Sequence, residues 1–294
     1  MTTEDETYRI IDPPKSLARM VQFFWLSGPT RERCEGVPDG CVDVALILSP
    51  TDPQIQIYGT LTGRTEYSVV PGCPYFGFRL MPGCARALLK EDVDRFTDRA
   101  VVIDRFLGRT AAELYEAFQR GHGFEFFIQL LETASVAMPE LLVHEAVRKI
   151  HQSYGKIRIQ ALASEIGTSY RTLERAFRRE IGIPPKFYGR IQRLDAFIRR
   201  LRLRRNDWSE IAFDLGYSDQ AHLIRDVVQL TDYTPTDLAR LTAAQESVGF
   251  TAKRLQNLAQ GEGLAEPWVC YFRTRRSEGA PEIESPIAED RGRF

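Results

Sequence analysis

Apolar positions fall into two regimes along the chain. From Tyr8 to Leu89 they come in short runs broken by turn residues: QFFWLS, CVDVALIL, IQIYGTL, EYSVV and YFGFRLMPG. Runs of that length predict antiparallel strands that close as a barrel or a sandwich. From Thr110 the period changes. Ala111, Leu114, Tyr115 and Phe118 recur at helical spacing, and after the Gly121-His122-Gly123 break Phe124, Phe127, Ile128 and Leu131 do so again. Two helices are predicted there, packing on each other or on a second subunit, with a joint near Met138-Pro139.

Further along, one pattern occurs twice, 49 positions apart: IQALASEIGTSYRTLERAF from Ile159 and WSEIAFDLGYSDQAHLIRDV from Trp208. Ile159, Leu162, Ala163 and Ile166 make an apolar helix stripe, and Trp208, Ile211, Ala212 and Leu215 repeat it. Gly167 and Gly216 then stop the helices, since glycine takes the left-handed conformation without a Cβ penalty. Ser169 and Ser218 offer caps for the second helices, with Asp219 an alternative in copy two, and Asp207 with Glu210 caps the start of the second unit. The second turn is one residue longer. Each copy reads as a helix-turn-helix, and two in one chain point to a DNA reader.

On a wheel, Tyr170, Leu173, Ala176 and Phe177 gather on one side of the first reading helix, and Arg171, Glu174, Arg175 and Arg178 on the other. Arginine makes bidentate bonds to guanine and glutamate accepts from cytosine, so this face has base-reading chemistry; a solvated helix face is the alternative. In the second copy Ala221, His222 and Arg225 point away from Leu223 and Val227. Between the copies, Pro184-Pro185 opens a connector with an apolar side of Phe187, Tyr188, Ile191, Leu194, Ile198 and Leu201. About 20 residues at ~1.5 Å make a rod of roughly 30 Å, close to the ~34 Å between successive major-groove faces. Phosphate contacts are expected from Ser169, Arg190, Arg199, Arg204 and Ser218.

Charge supports this placement only locally. The chain has a net charge of −1, but residues 145–241 hold 18 Lys/Arg against 12 Asp/Glu. The basic footprint belongs to that segment.

Residues from about 145 to 241 resemble the DNA-binding domain of the AraC/XylS family of bacterial transcription regulators, on LERAFRREIGIPPKFY from Leu173, SEIAFDLGYSDQAHLIR from Ser209, and Thr234-Pro235. The resemblance implies seven helices, two helix-turn-helix units and a long central helix. By position it carries base contacts to Arg171, Glu174 and Arg175 in the first unit and to Gln220, Ala221, His222 and Arg225 in the second. The chain departs from the family at Val227, usually aromatic, and at Asp232, usually Gly. PDGCVD from Pro38 and FGFRLMPG from Phe76 resemble an N-terminal domain found in such regulators. If that domain is cupin-like it is not a metal cupin, because His122, His144, His151 and His222 all lie outside the strands. Trp25, Tyr58, Tyr75 and Arg79 are candidate ligand-pocket residues, with strand core as the alternative.

The expected organisation is therefore α+β in two domains: residues 1–108 a β-rich, cupin-like barrel or sandwich with a sensing role, 109–140 a helical dimerisation or linker segment, 141–241 an all-α double helix-turn-helix domain, and 242–294 a partly disordered extension. In that extension a helix through Leu255 and Leu258 and a strand-like PWVCYFR from Pro267 are predicted. Promoter DNA is the expected partner, with RNA polymerase, a small-molecule effector and a second copy of the chain as further ones; no cofactor, metal or catalytic residue is expected. The rival reading is a Cys-dependent repair or redox protein that uses DNA binding for targeting, and a protein-interaction module is a third. Cys34, Cys41, Cys73, Cys84 and Cys270 are too widely spaced for a C-x-x-C motif. The polar start MTTEDETYR and the lack of a run of ~18 apolar residues predict a cytoplasmic protein with no membrane span.

Overall fold

The computed structural model describes residues 9–28, 34–134, 140–202 and 207–246. In chain order the N-terminal part holds β1 (Arg9–Ile11), β2 (Val21–Ser27), β3 (Cys34–Gly36), β4 (Asp43–Ile47), β5 (Gln54–Tyr58), β6 (Thr65–Tyr67) and β7 (Tyr75–Leu80). Helix α1 (Ala85–Leu89), a 3₁₀ turn at Val93–Phe96, β8 (Ala100–Ile103), β9 (Arg105–Phe106), β10 (Arg109–Thr110), α2 (Ala111–Gln119) and α3 (Gly123–Thr133) follow. Among the described residues the C-terminal part is all helix: α4 (Leu141–Gln152), α5 (Ile159–Glu165), α6 (Tyr170–Ile181), α7 (Pro185–Arg202), α8 (Trp208–Asp214), α9 (Gln220–Thr231) and α10 (Pro235–Glu246).

All five predicted apolar runs become strands. Four of them join β1 and β8 in an antiparallel sheet of order β1-β2-β7-β4-β5-β8, EYSVV supplies β6 of a two-stranded ribbon with β3, and β9–β10 is a second ribbon. Of the barrel or sandwich expected, the barrel is not found: among the described residues β1 and β8 are the two edges of an open sheet and do not pair. Other layers cover the faces instead of closure. Val44, Leu46, Ile55, Ile57, Phe76 and Phe78 pack with Leu114, Phe127 and Leu131 of α2 and α3. Phe23, Trp25, Ala45, Ile47, Tyr58 and Tyr75 fill the opposite face with Leu61 and Tyr67. The alternation along β4 and β7 is the period-2 signature of a sheet buried on both sides.

Helices α2 and α3 pack on each other and on the sheet, the first of the two arrangements expected. Thr110 starts α2 with a full capping box, its hydroxyl accepting from the Glu113 amide while the Glu113 carboxylate accepts from the Thr110 amide. The Met138-Pro139 joint, Cys270, Arg204, the helix through Leu255 and PWVCYFR lie outside the described residues.

Candidate nucleic-acid interface

The seven C-terminal helices form two helix-turn-helix units on the connector α7. In the first, α5 ends at Gly167 with φ +71° and Ser169 caps α6, its hydroxyl accepting from the Thr172 amide at 3.1 Å. In the second, α8 ends at Gly216 with φ +74°, and the cap of α9 is Asp219, whose carboxylate accepts from the His222 amide at 2.7 Å. Ser218 is left to bond Asp219 and the His222 ring. The longer second turn moves the cap from the serine to the aspartate. Asp207 caps α8 through the Ser209 and Glu210 amides.

The reading side chains reach solvent on both helices, although those of α6 line a cleft against the N-terminal domain. Arg171, Arg175 and Arg178 are exposed on α6, and Glu174, half-buried, sits 3.4 Å from Arg178. Gln220, Ala221 and Arg225 are exposed on α9, while half-buried His222 stands edge-on to Tyr217. Leu173, Ala176 and Phe177, and Leu223 and Val227, are buried as the wheel predicts.

Two arginines among the expected phosphate contacts have structural partners, as the two serines do. Arg190 is paired with buried Asp226 at 2.6 Å and also donates to Gln229. Arg199 is paired with Asp195, one turn back on the same helix.

The candidate pocket residues Trp25, Tyr58, Tyr75 and Arg79 do come together on one sheet face, but all four are buried. Arg79 is held by Asp43 at 2.6 Å and Asp39 at 2.8 Å, and the Trp25 indole donates to Asp43. The indole lies over Gly77, where a Cβ would sit 2.3 Å from the ring. This accounts for PDGCVD: its two aspartates neutralise an arginine with 1% exposure, which would otherwise be an uncompensated buried charge. Gly40, in the same motif, has φ +75° and a Cβ there would meet the Tyr188 ring at 2.5 Å. The motif therefore touches the connector.

The N-terminal domain also touches both reading units, through residues the sequence did not single out. Thr60 donates to the carbonyl of Ile181 at 2.6 Å and Thr97 to that of Gly182 at 2.9 Å, tying down the end of α6. Arg86 bonds Asp92 at 2.7 Å and lies 3.4 Å from buried Glu180, whose carboxyl burial pushes upward. Asp92 and Asp94 face Arg171, Glu174, Arg175, Arg178 and Arg179 across a cleft of about 380 Å³. At the second unit, the Tyr233 hydroxyl donates to Glu35 at 2.5 Å, with Arg64 over its ring. Hydroxyl-to-carbonyl bonds leave no periodic mark in sequence. Asp226 did leave one, a charge in the core phase of a helix between Leu223, Val227 and Leu230.

Among the described residues no group of side chains is arranged to hold a metal ion, and no helix is long and apolar enough to cross a membrane. Burial pushes the Cys84 thiol up to about 12 and Cys41 well above its ordinary value, so these thiols stay protonated and unreactive.

Residues 162–241 match a family described as "Helix-turn-helix domain", and residues 9–102 match a "Domain of unknown function (DUF6597)". No curated protein matches the sequence. Similar solved structures include ToxT from Vibrio cholerae at 1.65 Å resolution, 9% identical, covering 74% of this chain and 97% of that one with a TM-score of 0.41. Unsaturated fatty acid bound ToxT from strain SCE256 of the same organism is 8% identical, with 81% and 97% covered and a TM-score of 0.39. Likeness this low transfers neither ligand nor activity. Two helix-turn-helix units on one connector, with the family match over residues 162–241, make the C-terminal part of the chain a helix-turn-helix domain, the arrangement that its resemblance to the AraC/XylS family implies.

Proposed function

We propose that the chain is a cytoplasmic, sequence-specific promoter binder whose α6 and α9 enter successive major grooves, with residues 1–108 acting as the regulatory domain, 109–140 as its helical appendage and 141–241 as the reader. The observation that carries this is the pair of exposed reading faces at the two ends of an 18-residue connector. At ~1.5 Å per residue the connector spans roughly 27 Å, on the order of one turn of duplex. Arg171, Glu174 and Arg175 carry most of the base choice; Gln220, Ala221, His222 and Arg225 add affinity and register. Selection of bound DNA from a random pool should enrich two half-sites about one helical turn apart. Arg175→Ala should then weaken binding to the selected site by about 1–3 kcal/mol and relax choice at one position, with a smaller loss for Arg225→Ala. Unchanged affinity in both variants refutes the assignment.

The regulatory arm of the proposal rests on the cleft. A major groove ~12 Å wide admits one helix of ~10–12 Å, and α6 with the Val93–Phe96 turn alongside is wider than that. The contacts of Thr60, Thr97 and Arg86 therefore describe a closed arrangement, and DNA binding requires the N-terminal domain to swing away from α6. An effector or a second copy of the chain would act by shifting that equilibrium. The burial of Cys41 and Cys84 counts against the Cys-dependent rival at those two positions.

A further inference from the structure

The second reading helix is fixed to the connector by a buried charge network that the base-reading role does not need. Asp226 lies in the middle of α9 with 7% exposure. One carboxylate oxygen takes the Arg190 Nε–H at 2.7 Å; the other accepts from the Tyr217 hydroxyl at 2.9 Å. Arg190 is braced in turn by Gln229 and by the Phe187 ring, and Arg193 lies over Tyr217. Leu223, Val227 and Leu230 already supply apolar packing on the same face. Apolar residues at both 190 and 226 would serve stability as well as the buried ion pair does. What apolar packing lacks is direction: it tolerates small slides and rotations, whereas a carboxylate held at one oxygen by a guanidinium and at the other by a phenol fixes both.

The rest of the reader is fixed as well. Gly155, at the end of the first unit's α4, is pressed against the backbone of Gly189 in α7. Lys156 donates to the Asp214 carbonyl at the end of α8, so the two units also touch each other. Asp226 is the point where α9 itself is locked to this frame.

We propose that the Tyr217–Asp226–Arg190 network sets the half-site spacing the protein accepts, by fixing the position and rotation of α9 relative to α6. This rests on the two-groove reading above. Adding or removing one base pair between half-sites moves the second by about 3.4 Å and rotates it by roughly 35°. The test measures binding of the full chain to its selected site and to versions with the spacer changed by one base pair either way. The wild type should lose on the order of 100-fold for either change, the scale of losing one reading helix. Asp226→Leu should bind the selected spacing within about fivefold of wild type, while its penalty for the altered spacers falls below about tenfold. Circular dichroism checks that the variant is folded; if it is not, Tyr217→Phe, which removes one hydroxyl, should relax the penalty partially. A folded variant that keeps the wild-type penalty overturns the proposal. A wild type that selects one half-site and ignores spacing overturns it too, while leaving DNA binding in place. A wild type that selects no sequence overturns both.

Discussion

The two helix-turn-helix units share a sequence pattern but differ in what holds them to the connector. The first is held by shape: Gly155 meets Gly189 backbone to backbone, and Tyr188 fills the space between His151, Phe177 and the N-terminal Gly40. The second is held by charge, through Asp226 and Arg190. The N-terminal domain makes the same distinction. It grips the first unit at the end of its reading helix and bonds the second at Tyr233, after its reading helix has ended. Under the proposed function, a movement of the N-terminal domain would act on α6 directly and reach α9 through α7. Repetition of a motif does not imply repetition of its control.

The sharpest way to break the comparison is at Gly155. It has φ +71°, and a Cβ would lie 1.9 Å from the Gly189 carbonyl oxygen, where only backbone can give way. Gly155→Ala should destabilise the C-terminal domain by about 4 kcal/mol in urea denaturation, combining left-handed strain with backbone overlap. A loss under about 1 kcal/mol would show that the first unit is not held by shape.

Acid should separate the units next. Burial, and then the nearby Arg199, lowers the His151 pKa from its ordinary 6.5 to about 4, and its Nε2 lies 2.5 Å from the Tyr188 hydroxyl. Between those values the unfolded chain binds more protons than the folded one, so stability is complete above pH 6.5 and falls as the pH drops towards 4. At pH 5 the loss from this group is about 2 kcal/mol. His151→Gln should flatten the difference between denaturation midpoints at pH 7 and pH 5. An unchanged difference would mean that His151 is protonated in the folded state.

A smaller effect tests the asymmetry of control. Asp92→Asn with Asp94→Asn should raise affinity for the selected site about fivefold at low salt and less at high salt, because the same arginines face both carboxylates and the incoming phosphates. Glu116→Gln with Glu125→Gln, on α2 and α3 away from the cleft, removes the same charge. If that pair gives an equal gain, the effect is net charge and not the cleft.

What the sequence made legible was local. Apolar period, glycine stops and caps located both units and the connector, because each is written within a dozen neighbouring residues. Ser218 and Asp219 differ as caps only through one added turn residue, whose effect on the chain path is three-dimensional. Barrel and sandwich both stayed open because short strands with turns predict strands but not which edges meet. Arg190 looked free on the outer face of a helix, since its partner lies 36 residues away in α9. The clearest missed signal was Asp226 itself, a charge where the helix period demands an apolar residue.

The finest contrast is at the ends of the reading helices. Both C-terminal caps are left-handed, Gly182 at φ +92° and Asp232 at φ +57°, and the family usually has Gly at the second. At Gly182 a Cβ would lie 2.7 Å from the Thr97 hydroxyl of the N-terminal domain, so glycine there serves both the turn and the interdomain contact. Asp232 is exposed and carries only the turn. Asp232→Gly should therefore stabilise the chain by about 0.5 kcal/mol, relief of left-handed strain offset in part by the greater freedom of glycine in the unfolded state. Thermal denaturation of the full chain measures it. A destabilisation instead would give the Asp232 side chain a role in the second unit beyond the turn, and would bring the two ends closer in kind than their surroundings suggest.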